Sequence, residues 1–151
     1  MIDRLAVHDL IHKYWICYDE YRFDALEELL TPDTTHRSRT DTGDHPFEDF
    51  IHADVSGLDA VTAHVRAHRG GSPYPLRHNA TNIYVVAERP DEIDIESYLF
   101  VTEIADRRPA PLSSGFARFT IRKTPAGLQI SSLDVVLDFA ATEPGTPRGE
   151  S

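Results

Sequence analysis

The residues most able to do chemistry gather in one short stretch, Tyr14-Trp15-Ile16-Cys17-Tyr18-Asp19-Glu20-Tyr21. Two carboxylates, Asp19 and Glu20, stand there among aromatic side chains, where the pattern predicts the end of a helix. A helix C-terminus carries partial negative charge and favours cations, so an acid there gains little stability. That is a cost a protein tolerates for a poised acid/base group. Histidine, with an ordinary pKa near neutrality, suits proton abstraction beside a carbonyl, and His78 opens the first long strand of the second half of the chain. Two further histidine pairs, His8/His12 and His64/His68, have the i, i+4 spacing that can bind zinc. Neither carries the glutamate of H-E-x-x-H, and both flank their apolar stripes, so they read as solvated faces. No glycine-rich phosphate loop, dinucleotide fingerprint or nucleophile elbow is present.

These groups need elements to hold them. Val7, Leu10, Ile11, Tyr14, Cys17 and Tyr18 recur at helical spacing and predict a helix over 3–19, with Asp3 as N-cap. "FDALEELL" (23–30) predicts a short second helix stopped by Thr31-Pro32, and "TTHRSR" a short strand. Residues 40–55 read as a polar loop, and 56–69 as a third helix with a Ser start and a Gly-Gly stop. Four segments rich in β-branched and aromatic residues follow, at 77–88, 92–105, 113–124 and 127–140, separated by turn chemistry. Helices followed by a run of strands make an α+β layout. The expected form is a curved mixed or antiparallel sheet, a cone-shaped half-barrel closed by about three N-terminal helices around an internal pocket. A single domain is expected over 1–141, with a disordered Pro/Gly-rich tail over 142–151.

Composition excludes whole classes of function. A net charge of -10 argues against nucleic acid, which needs a basic footprint. No apolar run approaches the roughly 18 residues of a membrane-spanning helix. One cysteine, Cys17, cannot form an internal disulfide, and "MIDRLAVHDL" has no apolar signal region; a cytoplasmic setting is expected.

The helix ending in Tyr18-Asp19, the following "FDALEELLTPD", the "RHNATN" that opens the long strands and the final "SSLDVVLD" resemble the SnoaL-like group of the nuclear-transport-factor-two-like superfamily. That group includes polyketide cyclases, scytalone and bile-acid dehydratases, ketosteroid isomerase, limonene epoxide hydrolase and the small subunits of ring-hydroxylating dioxygenases. The resemblance covers about residues 3–140. It implies that Tyr18, Asp19 and His78 occupy the positions of a scytalone dehydratase-like site, with His78 as acid/base, Asp19 holding it, and Tyr18 positioning a water or carbonyl. Elsewhere the chain departs from that pattern: the second tyrosine falls near Ser38, the second histidine near Glu103, and the Ser and Asn of the penultimate strand near Phe116 and Arg118.

Other residues are candidates for contacting substrate. Tyr14 and Trp15 sit on or beside the apolar face of the first helix. Asn82 shares strand parity with His78 unless a bulge intervenes. Tyr98 and Glu103 fall on opposite sides of the next strand, and Arg118 is placed to orient an enolate oxygen. The expected activity is cofactor-independent and metal-free: dehydration, cyclisation or isomerisation of a small, mostly apolar carbonyl or polyketide-type compound. The alternatives are a non-catalytic ligand-binding or assembly subunit, or an epoxide hydrolase using Asp19 and Arg118. A homodimer is expected by analogy with the fold.

Overall fold

The computed structural model describes residues 1–140 and Pro144; apart from that proline, the expected tail at 142–151 lies outside the described residues. The chain runs α1 (Arg4–Asp19), α2 (Phe23–Glu27), β1 (Leu30–Thr40), α3 (Glu48–Ile51), β2 (Ala53–Ser56), α4 (Leu58–Gly70), β3 (Leu76–Arg89), β4 (Glu92–Ala105), β5 (Arg108–Thr124) and β6 (Gly127–Leu137). The strands form one curved, unclosed sheet in the order β2-β1-β6-β5-β4-β3. All neighbours are antiparallel except β1 and β6, which run parallel, so the sheet is mixed. The helices pack into its concave side, giving the expected α+β half-barrel.

The helix α1 forms as its sequence dictates. The Asp3 carboxylate accepts from the N–H groups of Leu5 (2.9 Å) and Ala6 (3.4 Å) and so satisfies two of the orphan donors of the first turn. Its face Val7, Leu10, Ile11 and Tyr14 is buried with Ile93, Ile95, Phe119 and Ile121 from the inner side of the sheet. Burial of each such side chain contributes roughly 1.5–3 kcal/mol. The end of α1 is closed without glycine. Tyr21 takes a left-handed conformation (φ 56°), Arg22 N–H reaches the Cys17 carbonyl at 2.8 Å and Tyr21 N–H the Tyr18 carbonyl at 3.4 Å. That is the paired closure of a Schellman motif, with a tyrosine in the strained position.

Several boundaries differ from expectation. The helix α2 stops at Glu27, because Leu30 already pairs with Ile130; Pro32 sits in the register shift between Leu30 and Thr35, where a missing N–H costs nothing. The stretch expected as a loop, 40–55, holds a one-turn helix and all but the last residue of a four-residue edge strand, both too short to show a period. Ser56 ends β2, and Gly57 (φ 90°) caps α4. The predicted turn "DRRPAPL" narrows to Asp106 and Arg107, both at positive φ as a tight hairpin requires. Its two prolines enter β5 beyond Gly115, the point at which β6 pairing begins, where one side of the strand has no β6 partner.

Gly115 marks a close approach of two backbones. A Cβ there would lie 2.1 Å from the Val136 carbonyl oxygen and 2.9 Å from Leu137 Cα. Gly115→Ala is therefore expected to lower stability by about 1–3 kcal/mol, read as a reduced urea midpoint at unchanged m-value.

Candidate active site

The closing of α1 leaves the Asp19 main-chain carbonyl without a helical partner, and a buried cation takes it. Arg69, on α4, is fully buried; its Nη2 and Nε donate to the Asp19 oxygen at 2.9 and 3.3 Å, and its Nη1 donates to the Pro73 oxygen at 3.0 Å. The guanidinium lies 4.3 Å from the Tyr21 ring centre, the same ring held at positive φ. The negative end of α1 thus meets a positive charge after all, supplied from another helix.

With its carbonyl held by Arg69, Asp19 turns its buried carboxylate to β3. Oδ2 accepts the His78 main-chain N–H at 2.8 Å, and Oδ1 meets His78 Nδ1 at 2.6 Å. Two bonds to one residue fix both the position and the ring orientation of His78. The ring is further confined by Trp15, stacked parallel at 4.6 Å and 4°, and by Tyr18, edge-on at 5.0 Å and 87°. With Nδ1 donating to the carboxylate, Nε2 is left as the basic nitrogen. Among the described residues Nε2 has no hydrogen-bond partner.

His78, Trp15, Tyr14 and Tyr18 line a cavity of about 680 Å³, and no Asp, Glu, Lys or Arg is among its lining residues. Its floor is aliphatic, with Val65, Leu99, Val101 and Val135, and its mouth carries Phe47, Phe50 and Phe139. The inner face of β1 contributes a polar stripe: Thr34, His36, Ser38 and Thr40 are buried while Arg37 points out. Ser38 Oγ donates to the Ile51 carbonyl, which ties β1 to α3. His36, His64 and His68 meet on this wall, with ring centres 5.2 Å (His36–His64) and 5.7 Å (His64–His68) apart. Burial, reinforced by the neighbouring histidines, pushes His36 down to about 3. Burial, then His64, His78 and Arg69, pushes His68 down to about 4, and burial also lowers His64. Burial raises the Tyr14 and Tyr18 hydroxyls well above the ordinary phenol range. Among the described residues no group of three or more His, Cys, Asp or Glu could hold a metal ion.

Four of the expected substrate contacts lie elsewhere. Asn82 takes a left-handed conformation (φ 55°) inside a register shift between Thr81 and Tyr84. The bulge reverses strand parity, so Asn82 and Tyr84 face outward, where His78 faces inward. Tyr98 is half-exposed on the same outer face, and Arg118 is paired there with Glu96 at 2.7 Å. Arg118 and Asp19 do not meet, so the arrangement that would favour epoxide hydrolysis does not assemble. Glu103 lies one step past the bulge made by the extra residue Leu112, opposite Leu76 and Ala110, and is not part of the cavity wall. Conversely, the expected solvated face of α4 carries His64 and His68 into the cavity, and Arg69 into the core. The signal for His36 was present in the alternation of "TTHRSRT", where every second residue is an uncharged polar or His and the intervening ones include two arginines.

The chain is thus an unclosed α+β cone with an acid–imidazole pair set in the wall of an otherwise uncharged cavity. Residues 1–134 match the model of the SnoaL-like domain, and the chain belongs to that family. No curated protein matches it by sequence. Among solved structures it is similar to an NTF2-like protein with a cystatin-like fold from Novosphingobium aromaticivorans, at 23% identity and TM-score 0.70 over 89% of this chain and 81% of that one. A provisionally assigned scytalone dehydratase from the same organism shares 15% identity, TM-score 0.71, with 98% and 94% covered. The beta subunit of benzoate 1,2-dioxygenase from Burkholderia mallei shares 16% identity, TM-score 0.70, with 91% of each chain covered. At these identities the likeness is one of fold.

The buried histidines make stability depend on pH. The folded value of His36 lies below its ordinary 6.5, so the unfolded chain binds the proton first as pH falls. Its contribution is complete above about 6.5 and is lost progressively toward pH 3, at no more than about 1.4 kcal/mol per pH unit. The urea midpoint should therefore fall between pH 7 and pH 5, and His36→Leu should flatten that fall.

Proposed function

We propose that this protein is an enzyme of general acid/base type that removes a proton beside the carbonyl of a small, neutral, mostly apolar compound. The hydrogen bond between Asp19 and His78, 2.6 Å long and set in the cavity wall, carries this reading. His78 Nε2 takes the proton and leaves an enolate; Asp19 accepts Nδ1–H throughout and stabilises the imidazolium. The imidazolium then returns its proton, to a departing hydroxyl in a dehydration or to another carbon or oxygen in an isomerisation or cyclisation. Tyr18, whose hydroxyl lies 2.6 Å from His68 Nδ1, can accept a hydrogen bond from a water at the reacting centre. Tyr14 and Trp15 shape the wall beside it. The chemistry needs only side chains, and a polyketide-type ring system is a suitable substrate for a cavity of this size and polarity.

Supporting the proposal are the dehydratase-like relatives of the fold. A cytoplasmic homodimer, joined through the outer sheet face where Tyr84, Val86, Tyr98 and Phe100 are exposed, belongs to the same reading. Among the described residues no helix is long and apolar enough to cross a membrane. The second reading, a non-catalytic assembly subunit, draws on the likeness to the dioxygenase beta subunit.

The two readings separate in an assay that follows loss of water by mass from β-hydroxy ketones of one to three rings. His78→Ala and Asp19→Asn should each lower turnover by about 100-fold or more, with the far-UV spectrum unchanged. Near-normal turnover in either variant would rule out the dyad.

A further inference from the structure

Beyond Tyr18 the cavity holds a second set of polar groups that the dyad does not use. Tyr18 hydroxyl lies 2.6 Å from His68 Nδ1, and His68 leads by ring contact to His64 and His36. The direction of the first bond follows from satisfaction of donors. Burial keeps the proton on the Tyr18 phenol and keeps His68 neutral. A buried phenol proton needs an acceptor: His68 Nδ1 lies at 2.6 Å, while the Ser72 hydroxyl also near Tyr18 gives its own proton to the His68 main-chain carbonyl. Nδ1 therefore accepts, and the single imidazole proton of His68 sits on Nε2. Nε2 has no hydrogen-bond partner among the described residues, yet it is not among the fully buried partnerless atoms, so it is open to the cavity that His68 lines. Phe50 stacks on the ring at 4.6 Å and holds its plane. On the same wall His36 Nδ1 is buried without a partner among the described residues.

We propose that His68, with its tautomer fixed by Tyr18, is a neutral hydrogen-bond donor to a ligand oxygen, and that His64 and His36 complete this second polar pole. The ligand class follows. It carries an uncharged oxygen acceptor, a carbonyl or ether-type oxygen, at the end that lies against α4 and β1. A carboxylate or phosphate is excluded from that pole, because no Lys or Arg lines the cavity and a neutral imidazole supplies one hydrogen bond without charge. Where that oxygen is the carbonyl of the reacting unit, His68 supplies the donor for the enolate that His78 creates. This deepens the proposed function, yet it rests only on the cavity being the ligand site: it concerns binding, whereas turnover in the His78 and Asp19 variants judges the dyad.

Histidine tautomers are read directly from two-bond proton–nitrogen correlations of the full chain labelled with 15N, at pH 7. His68 should show the Nε2–H form, and Tyr18→Phe should convert it to a mixture. Titration with 1-tetralone, a neutral bicyclic ketone, should shift the His68 Nε2 resonance; naphthalene, of similar shape without oxygen, should not. His68→Phe should weaken 1-tetralone at least ten-fold, and His68→Gln, which retains an N–H donor, should recover part of the loss. An Nδ1–H tautomer, no tetralone-dependent shift at His68, or equal affinity in wild type and His68→Phe would each overturn the proposal.

Discussion

One carboxylate holds the end of a helix to the start of a sheet. Asp19 uses both oxygens on a residue 59 positions later, one on its main-chain N–H and one on its ring. Burying an acid is costly unless its lone pairs are met, and here they are. The same residue's carbonyl is met by Arg69, so a fully buried guanidinium, a buried carboxylate and a helix end settle one another's charge within a few ångströms. Tyr21 supplies the turn that exposes that carbonyl, and its ring covers the guanidinium that receives it. Removing any member leaves another group buried without a partner, which costs more than the lost bond itself. The geometry of the Asp19–His78 pair and the stability of this corner are thus the same set of contacts.

The rest of the cavity is arranged around neutrality. Its aliphatic floor comes from β4, β6 and α4, and its polar wall from β1 and α4, where three histidines share a desolvated space. Burial lowers the pKa of all three, and at His36 and His68 the neighbouring histidines discourage protonation further. Under the proposed reading, such a wall would recognise where a ligand's hydrogen-bond acceptors lie and reject net charge, and its fixed dipoles would need no reorganisation when negative charge develops on an oxygen.

Long elements were legible and short or compensating ones were not. The face Val7-Leu10-Ile11-Tyr14 and the four long strands have enough repeats to declare their periods, and the order of helices before strands implies the layered fold. Between β1 and α4 the chain forms only two pieces of four residues each, α3 and β2, below the length at which any pattern shows. Strand parity carried inference correctly as far as His78 and failed four residues on, because asparagine at 82 accepts a left-handed backbone and reverses the count. Glu103 keeps the parity of Leu99 and Val101 and lies opposite Leu76, but it sits past the stretch of β4 that lines the cavity. Arg69 was hidden by chemistry: a fully buried arginine that finds main-chain oxygens has no sequence signature that separates it from an exposed one. The i, i+4 histidines were visible, but their spacing suggested a metal or a wet surface, and the face they share is decided by how α4 lies on β1.

The stacking of Trp15 on His78 has an optical meaning. It is the only tryptophan in the chain, and its indole lies flat against the imidazole that would carry the proton. Indole emission is quenched far more strongly by imidazolium than by neutral imidazole at such contact. The protein's intrinsic fluorescence is therefore a private channel to the protonation state of one side chain, free of competing emitters of its kind, and it needs neither a label nor a known substrate to be followed in time.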